Sequence, residues 1–219
     1  HGNPWIQTPN LDKLHGQSTR FERFLVSPTC SPTRAALMSG RHPMKNGITH
    51  TILERERMAL STVTLPQVLS KAGYVSGIFG KWHLGDNEKF MPTKHGFDDF
   101  YGILYSNDMW PFHPERPNGY PDLMLYDLDK PIKTLTDQSN LTKDLTQKSV
   151  DFINKNKDNP FFLYLAHPQP HVPLFASSDF NGRSKSGLYT DVIEEIDNSV
   201  GLIIKALKEN NLEKNTIVV

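Results

Sequence analysis

Apolar positions along this chain recur with two different periods. Over LTKDLTQKSVDFINKN, residues 141–156, they return every three or four positions, the spacing of one helix face. Ile193, Ile196, Val200, Ile203 and Leu207 repeat that spacing and predict a second amphipathic helix. By contrast, TRFERFLV at 19–26 and YVSGIFGKWH at 74–83 alternate as strands do. PFFLYLAH at 160–167 is a continuous apolar run of strand length, which predicts a buried strand, and TIVV at 216–219 predicts the start of another.

Helix boundaries are marked by caps. QTPNLDKLHGQ reads as a short helix with Thr8 as N-cap, Pro9 at the first helical position and Gly16 as stop. TLPQVLSKAG repeats the design with Thr64, Pro66 and Gly73, with Val68 and Leu69 facing inward. RAALMSG predicts a helix from Thr33 or Arg34 to Gly40, which places Cys30 just before a helix N-terminus, a position that favours anions. Helix followed by strand, repeated, predicts an α/β architecture. Residues 86–140 are rich in Pro, Asn, Asp and aromatics with little periodicity, and read as long surface excursions.

Composition narrows the function classes. The 219 residues carry 24 basic and 24 acidic side chains with no block of like charge, which gives no support to a nucleic-acid track. The run FFLYLA is far short of the ~20 residues needed to cross a bilayer, so no membrane span is expected. One cysteine, Cys30, excludes an internal disulfide and a multi-cysteine zinc site. Taken singly, Cys30 reads as a small buried hydrophobe, Arg34 as a helix cap or a partner of Glu22, and Lys81 and His83 as surface residues at a strand end.

Their joint placement points to chemistry. Cys30 and Arg34 are four apart, so a helical turn between them brings a guanidinium fork back toward the thiol, an arrangement suited to an oxyanion. A cysteine phosphatase loop needs a longer spacer between Cys and Arg than the three residues present here. Lys81 and His83, two apart at the end of a predicted strand, are expected to leave the same face and converge on one pocket.

Cys30, Pro32 and Arg34 in CSPTRAALMSGR resemble the Cys-x-Pro-x-Arg signature of the type I sulfatases. GYVSGIFGKWHLG at 73–85 is similar to that family's second signature, TPNLDKL and GFDDFYG to flanking patterns, and PFFLYLAHPQPHVPL to the strand and loop that carry a later active-site His. The resemblance covers essentially the whole chain. It implies an alkaline-phosphatase-like fold, a mostly parallel central sheet flanked by helices on both faces, with residues 1–219 as one incomplete catalytic domain.

The resemblance also implies a mechanism and a residue set. Cys30 is the precursor of formylglycine, made by a formylglycine-generating or anaerobic maturase, and its hydrated form supplies the nucleophile toward sulfur. Arg34 belongs with the catalytic groups, Lys81 holds sulfate, His83 orients or deprotonates the geminal diol, and His171 is the general acid for the leaving group. Ser106 in YSNDMWP is a substrate contact. One Ca²⁺ is implied, with residue 30 as a ligand and Asp and Asn ligands that this sequence lacks. Calcium takes roughly six to eight oxygen ligands, so this chain alone is expected to bind it poorly and to be inactive. A periplasmic, secreted or lysosomal location is implied for the whole protein.

The substrate implied is a small-molecule or glycan sulfate ester. Two rivals stay open: a phosphonate monoester hydrolase or phosphodiesterase of the same superfamily, and a non-catalytic relative that binds sulfated glycans. His167 and His171 are also four apart, but HPQPHVP cannot form the helix that would pair them on zinc, and His167 reads as structural. Trp82, Trp110 and Phe112 read as core packing or as an aromatic platform. The Asn140 sequon reads as a chance occurrence.

Overall fold

The computed structural model describes residues 2–50 and 57–219. The alternating segment YVSGIFGKWH forms an interior strand of a five-stranded sheet. There β1 (Val75–Lys81) pairs in parallel with β2 (Asp99–Ile103) on one side and β5 (Phe161–Ala166) on the other. An antiparallel ribbon, β3 (Met124–Asp127) and β4 (Lys130–Thr134), extends the sheet beyond β2 and gives the order β4-β3-β2-β1-β5. The expected parallel arrangement holds over β2, β1 and β5. Paired on both sides, β1 is buried on both faces, and even Ser76 and Lys81 are enclosed.

The chain divides into two compact units. One comprises Phe24–Thr136 and Asn159–Ala166 and holds the whole sheet, α2 (Cys30–Ser39) and α3 (Leu65–Ser70). Its core joins Ala35, Met38, Ile78, Trp82, Leu84 and Phe100, all essentially inaccessible to water, each contributing about 1.5 to 3 kcal/mol if large and fully buried. The other comprises His1–Arg23, Asp137–Asp158 and His167–Val219 and holds α1 (Pro9–Gly16), α4 (Leu141–Lys155) and α5 (Leu188–Glu209).

Within the helical unit, α4 and α5 form where their periodicity predicts them. On α5, however, the deepest positions include Asp191, Glu195, Asp197 and Ser199, while Ile193 and Ile196 are only half-buried. These polar groups are satisfied. Ser199 Oγ accepts from Thr146 Oγ1 of α4 at 2.6 Å, and Asp197 accepts from the backbone N–H groups of Asn10 and Leu11 at 3.2 and 2.8 Å. Thr8 occupies the N-cap position of α1 but its side chain makes no capping bond, so a carboxylate from α5 does that work.

Several expectations are corrected. Residues 86–140 are not surface excursions: they supply β2, β3 and β4 and place Phe97, Phe100, Ile103, Leu123 and Leu125 in the core. Their strands are four or five residues long, too short to show a period, and β4 carries Pro131 at an exposed sheet edge where a missing N–H is tolerated. TRFERFLV forms no strand, and Phe21, Phe24, Leu25 and Val26 are exposed. Thr216 has extended φ/ψ, but residues 216–219 join no ladder. Among the described residues neither segment has a neighbouring strand to bond to, and propensity alone does not make a strand. β5 is half-buried because it lies at an end of the sheet. In α3 it is Pro66 that is buried; Val68, about 200° further round the helix, faces outward.

Candidate active site

The site is built where β1 ends and α2 begins. Thr29 is extended at the N-cap, and Cys30 is the first helical residue, so α2 starts three or four positions earlier than its helix formers suggest. Pro32 causes no break because first-turn N–H groups have no intrahelical acceptor. Thr33 Oγ1 turns back to the carbonyls of Ser27 and Thr29 at 3.2 and 3.3 Å, and Gly40 closes the helix in the left-handed region at φ 63°. Cys30 and Arg34 therefore sit on one helical face, one turn apart.

Arg34 Nη1 donates to the Lys81 carbonyl and reaches the Tyr164 hydroxyl at 3.5 Å, which fixes the guanidinium against the ends of β1 and β5. Lys81 Nζ donates to Ser106 Oγ at 3.0 Å, both groups being buried. Burial lowers the Lys81 pKa from 10.5 to about 8, and the Arg34 charge adds to the effect. Cys30, within hydrogen-bonding range of the ammonium, and Asp108 oppose it. Two cations at the start of a helix form a site matched to an anion.

The close approach of strands beneath Lys81 depends on glycine. Gly80 pairs with Gly102 and with Ala166, at φ 127°, and a Cβ there would lie 2.0 Å from the Ala166 carbonyl oxygen. The alternation argument for Lys81 and His83 fails past Lys81, where β1 stops and His83 takes φ 61°. Backbone bonds from Trp82 N to Ile103 O and from His83 N to Leu104 O, both 2.9 Å, hold that conformation against a cost of about 1 to 2 kcal/mol. His83 is buried, with its ring edge-on to Tyr105 at 5.5 Å.

Cys30, Arg34, Lys81 and Ser106 are thus brought together in the sheet unit. His171 belongs to the helical unit. It is exposed, and its Nδ1 lies 2.6 Å from the Val172 carbonyl. A carbonyl only accepts, so Nδ1 carries the proton and Nε2 is the basic nitrogen. His167 is structural, as its setting in HPQPHVP suggests: its Nε2 meets Ser199 Oγ at 3.1 Å, and burial holds its pKa down at about 4. Tyr164 and Asp108 were missed. Tyr164 was legible only as a strand residue, whereas Asp108 lies in YSNDMWP beside Ser106.

Among the described residues no group of three or more His, Cys, Asp or Glu side chains could hold a metal ion. Cys30 is the one calcium ligand suggested for this chain, against the roughly six to eight oxygens that calcium takes.

The parallel strands β2, β1 and β5, extended by the antiparallel β3–β4 ribbon and accompanied by helices, form an α/β scaffold of the alkaline-phosphatase-like class. The solved PsFucS1 sulfatase from Pseudoalteromonas sp. shares it with a TM-score of 0.84 and 27% identity, covering 95% of this chain and 48% of that one. The chain belongs to the sulfatase family, whose Sulfatase model matches residues 1–219. It is 39% identical over 237 residues to N-acetylgalactosamine-6-sulfatase of Homo sapiens and 36% identical over 242 residues to arylsulfatase A of Bos taurus. Both matches cover all of this chain, and 45% and 47% of the relatives, so the chain spans about half their length. No described helix is long and apolar enough to cross a membrane.

Proposed function

We propose that the whole protein hydrolyses a sulfate monoester, with residue 30 acting as formylglycine. The observation that carries this reading is the buried Lys81 ammonium, set between Arg34, Ser106 and Cys30 at the start of α2. Once a maturase has converted Cys30, residue 30 would supply a hydrated aldehyde: one hydroxyl oxygen would attack sulfur as the S–O bond to the alcohol breaks, and loss of the other hydroxyl's proton would then expel sulfate and restore the aldehyde.

Lys81 and Arg34 neutralise charge that builds on the sulfate oxygens in the transition state, and the enclosed site makes each cation count for more than it would in water. Ser106 fixes the direction of the Lys81 ammonium. His83 serves as the base toward residue 30, and His171, as an imidazolium whose Nδ1–H is held by the Val172 carbonyl, gives its Nε2 proton to the departing alkoxide. Ca²⁺ belongs to this reading as a group bound with ligands from elsewhere in the whole protein. A sulfated sugar is the natural candidate substrate by analogy with the N-acetylgalactosamine-6-sulfatase relative.

The test is steady-state turnover by the whole protein, expressed with a maturase, on 4-nitrophenyl sulfate and on bis(4-nitrophenyl) phosphate. A higher kcat/KM on the sulfate supports the reading. A clear preference for the phosphodiester overturns it in favour of a phosphodiesterase, and binding of sulfated glycan without any turnover overturns it in favour of a binding protein.

A further inference from the structure

The loop that follows β2 starts at Ser106, the residue that holds Lys81, and runs to His113. Three successive backbone bonds fold it tightly: Met109 N to Ser106 O at 3.0 Å, Trp110 N to Asp108 O at 2.9 Å and His113 N to Trp110 O at 3.2 Å. Its first residue borders the site through the bond from Lys81 Nζ to Ser106 Oγ.

Asp108 is the anomaly within it. A carboxylate beside an anion site works against binding, yet Asp108 is close enough to Lys81 to stabilise its charge. Its Oδ1 is buried with no hydrogen-bond partner, and its side chain keeps 23% of its surface exposed. Its Oδ2 lies 3.7 Å from His113 Nε2, too far for a hydrogen bond. The N–H of Glu115 donates to His113 Nδ1 at 3.1 Å, so the ring proton sits on Nε2.

An acceptor and a donor 3.7 Å apart suit a group that both donates and accepts, such as a hydroxyl. A hydroxyl oxygen about 2.8 Å from each closes a triangle, donating to Oδ2 and accepting from Nε2. An aryl ring offers nothing to this pair. In the same loop Phe112 is 63% exposed and packs edge-on against buried Trp110 at 5.0 Å, leaving an apolar ring in reach of solvent.

We propose that Asp108, paired with His113, is a specificity-determining residue that reads a hydroxyl on the alcohol half of the sulfate ester, and so selects polyhydroxyl alcohols such as sugars over aryl alcohols. This rests on the sulfatase reading above. The charge that Asp108 lends to Lys81 acts on every sulfate ester alike, whereas the pair distinguishes one leaving alcohol from another.

The experiment compares kcat/KM of the whole, matured protein on a panel of hexose and N-acetylhexosamine monosulfates with that on 4-nitrophenyl sulfate, for wild type, Asp108→Ala and Asp108→Asn. Asp108→Ala lowers the ratio of sugar-sulfate to aryl-sulfate kcat/KM by about 10- to 100-fold, mainly through KM, because an unread hydroxyl costs binding of that substrate alone. Asp108→Asn keeps the shape and one acceptor oxygen, lowers the ratio in the same direction, and serves as the readout should the alanine variant not fold. Equal losses on both substrates would make Asp108 an electrostatic support of Lys81 and overturn the proposal. So would an unchanged ratio, or a wild type that cleaves the aryl ester and none of the sugar sulfates. A wild type that cleaves no sulfate ester at all refutes the sulfatase reading itself, which separates the two failures.

Discussion

Lys81→Met separates a functional cation from a structural one. A buried ammonium whose pKa falls from 10.5 to about 8 carries a penalty of about 3 kcal/mol against its charged form in the folded state. The depressed value fixes the sign. Below about pH 8 the folded protein bears the whole penalty, and it fades as pH rises toward 10.5, where the unfolded chain also loses the proton. Methionine fills similar volume without charge, and leaves Ser106 Oγ without its donor at a cost of about 1 kcal/mol. At pH 7 the substitution leaves stability unchanged or raises it by up to about 2 kcal/mol. Activity responds in the opposite direction: loss of a cation from the sulfate oxygens costs about 2 to 4 kcal/mol, a fall in kcat/KM of roughly 30- to 1,000-fold. The assay pairs kcat/KM on 4-nitrophenyl sulfate with urea unfolding of the same whole-protein sample. Unchanged turnover together with a loss of stability would show Lys81 to be a packing residue and would remove it from the site.

The same pKa sets a pH dependence: kcat/KM falls as pH rises through about 8, because the free protein loses the Lys81 charge, and Lys81→Arg removes that limb from whatever activity remains. A wild-type profile flat to about pH 10 would contradict it. Gly80→Ala forces a Cβ to within 2.0 Å of the Ala166 carbonyl and is expected to abolish soluble folded protein, read as expression and Tm; a folded, active variant would refute the close strand approach. Asp197→Ala leaves the first turn of α1 uncapped and lowers unfolding free energy by about 2 to 3 kcal/mol, whereas Thr8→Ala costs less than about 1 kcal/mol; the reverse order would contradict the assignment of the cap.

Legibility in the sequence followed period and punctuation. α4 and α5 announced themselves by spacing, and α1 by Thr8, Pro9 and Gly16, because those signals are local. β2 to β4 did not, since a strand such as DFYGI has neither alternation nor length, and its pairing with β1 is set by residues far away in sequence. TRFERFLV and TIVV show the converse failure, strand composition with no ladder to join. In the site, the adjacency of Cys30 and Arg34 was readable from their spacing and that of Lys81 only from the sulfatase resemblance, while the reason offered for His83 was wrong: its positive φ breaks the alternation expected to align it with Lys81. The Asp197 cap and the Asp108–His113 pair depend on tertiary placement. No period or spacing in one sequence encodes them.

The most direct test of the central claim is peptide mass spectrometry of residue 30 in the whole protein, produced beside a formylglycine-generating enzyme. Sulfate ester hydrolysis by this site predicts that the peptide carrying CSPTR has lost its sulfur and gained an aldehyde, in proportion to the turnover of each preparation. A fully unmodified Cys30 thiol in a preparation that still hydrolyses sulfate esters would contradict it.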